Sequence, residues 1–134
     1  MTQVERVVTR YKQMWMWIRD NLDSLRSKYE VIGRAKLEYR KKHDMIGWGD
    51  CILCTAYLSC IGCPLGSCVQ GEAGYGTVNH YWQEKAVRRV YGLEPPTKEE
   101  AMRACDIIIA AHDELIKNPT KELLDKLEVY PWAR

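Results

Sequence analysis

Val4, Val8, Tyr11, Trp15, Ile18, Leu22, Leu25, Tyr29 and Ile32 recur at alternating steps of four and three, with no proline or glycine before Gly33. Four such repeats form a continuous apolar stripe on an α-helix, so the spacing predicts one long amphipathic helix, ended or bent at Gly33. The flanks argue against a self-paired coiled coil. Lys12, Arg19 and Arg26 share one flank and would face each other in an antiparallel pair. In a parallel pair they would meet Val7, Met14 and Asn21 and form no salt bridges. The seam is therefore expected to pack on the chain's own C-terminal helices. Met14-Trp15-Met16-Trp17-Ile18 is apolar all round the helix, so Met14 and Trp17 need cover beyond the seam. A second layer of the same domain supplies it, or an oligomer or partner surface does.

Beyond Gly33, residues 34–43 read as a short basic helical continuation, and 46–76 as an irregular loop with seven glycines and one proline. A helix is expected from about Thr77 to Tyr91, with Val78, Trp82, Ala86 and Val90 four apart, closed by Gly92 with Leu93 as its apolar contact. Thr97-Lys98-Glu99-Glu100 is a capping box. The helix it opens should bury Met102, Cys105, Ile108, Ile109, His112, Leu115 and Ile116. Asn118-Pro119-Thr120 ends it, and a last helix carries Leu123, Leu124 and Leu127. At 134 residues the chain is read as one domain of mostly α class. It comprises a long N-terminal helix plus basic extension (1–45), a cysteine-rich metal knuckle (46–76) and C-terminal helices (77–134), packed as a bundle.

Five of the six cysteines fall in the loop: Cys51, Cys54, Cys60, Cys63 and Cys68. A C-x-x-C turn holds two thiolates on one side of a bend, and two such turns complete a tetrahedral S₄ shell for zinc. Cys68 is a spare that can replace Cys60. Iron–sulfur ligation is the second reading, from Cys63-Pro64, although the preceding spacing departs from ferredoxin motifs. Disulfides or free thiols are the third. Cys105 sits on an apolar helix face and is read as a buried structural thiol. The uncharged run from Cys51 to Gly71 has the length of a membrane span, but five cysteines, Pro64 and three glycines make it a metal loop, and no membrane partner is expected. Glu5, Arg6 and Arg10 leave no apolar export signal at the N-terminus. Reduced thiols and an intracellular setting follow.

The pattern Cys51-Ile52-Leu53-Cys54, Cys60-Ile61-Gly62-Cys63-Pro64-Leu65, Cys68, then Tyr75, Tyr81 and Trp82 resembles a family of small, mostly uncharacterised phage and viral proteins. The resemblance covers 51–92 and omits the long N-terminal helix. It implies a metal-stabilised fold of viral origin, in the host cytoplasm, and no particular activity.

The basic run Arg34, Lys36, Arg40, Lys41 and Lys42 is the candidate for nucleic-acid contact, since zinc modules present cations to phosphates. The charge distribution weighs against it. Residues 1–45 hold eleven Lys/Arg against six Asp/Glu, and residues 93–134 hold six against nine, so the basic part has an acidic partner in its own chain. Gly71, Gly74 and Gly76 precede a helix, but with no preceding strand and no P-loop lysine they read as a connector rather than a phosphate cradle. His43 and His80 flank the knuckle as alternative ligands, and His112 reads as a core or boundary residue. The leading expectation is a non-enzymatic, zinc-stabilised interaction protein with a host or viral protein partner, and self-association open to it. The alternative is zinc-assisted DNA or RNA binding through 34–42. An enzyme or small-ligand binder using the glycine loop is the third.

Overall fold

The computed structural model describes residues 2–45, 48, 52–56 and 75–129. Every regular element among them is helical: α1 (Gln3–Asp20), α2 (Leu22–Lys28), α3 (Ile32–Lys42), α4 (Ile52–Ala56), α5 (Tyr75–Trp82), α6 (Glu84–Ala86), a π-helical turn (Val87–Tyr91), α7 (Lys98–Lys117) and α8 (Lys121–Val129). The mostly helical class is thus as expected, and the expected knuckle falls largely outside the described residues.

Thr2 opens α1, its hydroxyl accepting the Glu5 N–H at 3.1 Å. The seam is the core. Val4, Val8, Tyr11, Trp15, Ile18, Leu22, Leu25 and Ile32 are all buried, and Tyr29 packs at the edge. α1 lies along α7, which in turn carries α5, while α8 packs on α4 and α1. Trp15 and Ile18 are buried, with α7 the main partner of their helix, as the seam predicts.

One continuous helix does not form. Asn21 stops α1 by donating its side-chain amide to the Trp17 carbonyl at 2.9 Å. α2 then ends at Lys28, five residues before Gly33. The carbonyls of Tyr29 and Glu30 are taken instead by the Trp82 indole N–H at 2.9 Å and the Gln83 amide at 3.2 Å. These side-chain donors hold the link outside helical geometry, a tertiary effect that seam spacing cannot register. Gly33 lies inside α3, with open space where a Cβ would stand.

Two further expectations are corrected. α4 is helical within the stretch read as irregular, and its Ile52, Leu53 and Ala56 are buried. The helix expected over 77–91 begins at Tyr75 and breaks at Gln83. Val78 and Trp82 are buried as foreseen, but the next inward residue is Val87, five beyond Trp82, and Val90 is 69% exposed. The break at Gln83 accounts for that extra residue, since Val87 still bonds back to the Gln83 carbonyl in α register, and Val90, within the π turn that begins at Val87, faces solvent. Gly92 closes the turn in the left-handed region, φ 63°, its N–H bonded to the Val87 carbonyl.

α7 has the full capping box, Thr97 and Glu100 exchanging hydrogen bonds at 3.2 Å. Its buried face carries Cys105, Ile108, Ile109, His112 and Leu115, whereas Met102 is exposed. On α8, Leu123 and Leu127 are buried and Leu124 faces outward.

Candidate functional site

Of the proposed zinc ligands, Cys54 belongs to α4, while Cys51, Cys60, Cys63 and Cys68 lie outside the described residues. The described chain on either side of them is well anchored. At Ala56 the backbone carbonyl accepts the Thr120 hydroxyl at 2.7 Å, and that hydroxyl also caps α8 by accepting the Leu123 N–H. At Tyr75 the ring meets Trp15 edge-on, with centroids 5.8 Å apart. Among the described residues there is no group of three or more His, Cys, Asp or Glu able to hold a metal.

The basic segment divides by face. Lys36 and Arg40 are buried, and Arg34, Lys41 and Lys42 are exposed. The Lys36 ammonium lies over two aromatic rings, 4.8 Å from the Tyr75 centroid and 5.5 Å from that of Trp15. Burying an ammonium is costly, and two π faces offset part of that cost. Lys36 and Arg40 thus belong to the protein's interior rather than to a phosphate-facing surface. A signal for Lys36 was present in the sequence. The four-and-three seam continues past Ile32 to Lys36 and Tyr39, positions where apolar residues are expected and a lysine reads as solvated.

Met14 is fully buried, which corrects its assignment to an interface. Trp17 is half-buried and packs on Tyr39 of α3, centroids 5.1 Å apart, so the second layer of the same domain supplies its cover. Tyr39 also stacks on His43 at 3.9 Å. His80 faces Tyr91, centroids 6.1 Å apart.

His112 has no exposed surface. Its Nδ1 lies 2.7 Å from the Ile108 carbonyl, which can only accept, so Nδ1 carries the proton and Nε2 holds a bare lone pair. That Nε2 has no hydrogen-bond partner among the described residues. Burial lowers the pKa of the ring to about 4, with the charges of Lys36 and Lys12 acting in the same direction, partly opposed by the Ile108 bond and Asp113. Cys105 is a fully buried thiol as expected, its pKa raised by burial to about 12.

The π turn forms a second feature, one that the sequence pattern hid. Val90, Tyr91 and Leu93 are 69%, 64% and 56% exposed, the three most exposed large apolar side chains described. Arg88 pairs with Glu84 and Glu94 at 3.6 and 3.1 Å, while Lys85 and Arg89 have no ion pair among the described residues. No family model, curated protein or solved structure matches the chain.

Proposed function

We propose that this chain is a non-enzymatic interaction protein of viral type, zinc-stabilised through its cysteine cluster, that docks a protein partner on its helical surface. The observation that carries the reading is the apolar turn ending at Leu93. Three large apolar residues within four positions, Val90, Tyr91 and Leu93 around the left-handed Gly92, stand out from the surface more than any other large apolar side chain described. Contiguous exposed apolar side chains mark protein-contact surfaces, and π-helical turns recur at functional sites. Zinc, if held by four of Cys51, Cys54, Cys60, Cys63 and Cys68, supplies stability rather than chemistry, as in closed tetrahedral sites. The alternative reading, phosphate contact through 34–42, is left with three exposed cations, of which Lys41 lies 3.7 Å from Glu38.

A photoactivatable residue in place of Tyr91 tests the docking surface in cells expressing the chain. A discrete cross-linked protein that disappears with Val90→Ser and Leu93→Ser supports it. A large fall in melting temperature on those serine changes would instead make the turn a structural element and overturn the reading.

A further inference from the structure

We infer that α8 of a second copy of this chain docks on the Val87–Leu93 turn, joining copies head to tail. This rests on the reading of the turn as a docking surface and names its occupant. The turn offers Val90, Tyr91 and Leu93 with the cations Lys85 and Arg89, which have no ion pair among the described residues. Its occupant should therefore combine an apolar side chain with unpaired acids.

Such a face is present on the same chain. Along α8, Leu124 is 44% exposed, and Asp125 and Glu128 beside it are exposed with no ion pair among the described residues. Glu128 lies one helical turn from both Leu124 (i,i+4) and Asp125 (i,i+3), so the three share one apolar and acidic face. Most acids of α7 are differently placed: Asp106 and Asp113 are committed to Arg19 and Lys12 at 2.8 and 2.7 Å, Glu100 to the Thr97 cap and Glu114 to Asn118, leaving Glu99 alone among the described residues. Within one copy both the turn and the stripe stay exposed, so neither satisfies the other.

The two surfaces differ. Contact between them is heterologous in the head-to-tail arrangement, which leaves a free turn at one end and a free stripe at the other, so further copies add until a rotation closes a ring. Opposite charges flanking a small apolar centre give a weak, salt-sensitive association, screened as the Debye length shortens.

Sedimentation velocity on purified full-length protein, from low micromolar to near-millimolar concentration, tests this. The weight-average mass should rise continuously with no plateau at dimer. Lys85→Glu with Arg89→Glu should weaken association about tenfold or more, and so should Asp125→Lys with Glu128→Lys. Mixing the two double variants should restore it, because each then offers the other a complementary pair. These residues are exposed, so unchanged circular dichroism should accompany every variant. A monomer at all concentrations overturns the inference. So does a dimer plateau indifferent to both charge reversals, or association lost with Leu124→Ser but untouched by Tyr91→Ser. A monomeric result leaves the cross-linking experiment to decide the docking surface itself, so the two failures are separable.

Discussion

The guanidinium of Arg19 and the carboxylate of Asp106 meet at 2.8 Å, and Lys12 meets Asp113 at 2.7 Å. Seven residues forward on α1 correspond to seven back on α7, which sets the two helices antiparallel in a single register. Arg26, third on that flank, reaches Glu84 and the Tyr81 carbonyl. The flank that argued against self-pairing is thus matched by acids elsewhere in the chain. Exposed pairs of this kind contribute only about 0–1 kcal/mol each. Their role is register, and the stability comes from the seam beneath.

Truncating that seam should therefore be expensive. Ile18→Ala is expected to cost about 2–5 kcal/mol, as a fully buried aliphatic side chain cut to a methyl. Urea denaturation reads this directly. A negligible loss would remove Ile18 from the core, and a strong dependence of stability on protein concentration would move the seam to an oligomer interface.

His112 should make stability fall on mild acidification. Its folded pKa of about 4 lies below the ordinary 6.5, so between those values the unfolded chain binds a proton that the folded one refuses. The contribution is present above pH 6.5 and is lost as pH falls toward 4. It amounts to about 2 kcal/mol between pH 7 and pH 5. Subtracting the urea midpoints of His112→Leu across that range isolates this from carboxylate titration. Parallel curves for the two proteins would refute it.

The basic segment should split in two when scanned with alanine. Lys36→Ala and Arg40→Ala should destabilise by about 1–3 kcal/mol through lost buried contacts, while Lys41→Ala and Lys42→Ala should stay within about 0.5 kcal/mol. Any nucleic-acid affinity should depend on salt with at most about three released counterions, from Arg34, Lys41 and Lys42. Tight binding at physiological salt that vanishes when these three are removed would promote the phosphate-binding alternative.

Two glycines should respond in opposite directions. Gly33 is helical with open space at its missing Cβ, so Gly33→Ala should stabilise by about 0.5–1 kcal/mol. Gly92, at φ 63°, should lose about 1–2 kcal/mol as alanine. Thermal melts of the two variants moving the same way would contradict these assignments.

For the cysteine cluster, one zinc per chain is expected, with Cys54→Ser releasing it and lowering the melting temperature. Native mass spectrometry decides the matter: a metal-free protein with cysteines linked to each other would end the zinc reading.

What the sequence determined was periodic or local. The four-and-three seam identified the buried face of α1 and α2. The Thr97–Glu100 box placed the start of α7, and Gly92 marked the end of the preceding helix, because each signal acts within a few residues of itself. Tertiary structure decided where helices stop and which exceptions to the pattern are buried. Trp82 and Gln83 take the carbonyls of Tyr29 and Glu30 from more than fifty residues away, so the helix ends before its glycine. Trp15 and Tyr75 make room in the core for Lys36, at a seam position where charge alone points outward. The break at Gln83, followed by the π turn, leaves Val87 buried and Val90 exposed. The first two depend on partners brought close only by folding, and spacing along a single chain carries no record of those partners.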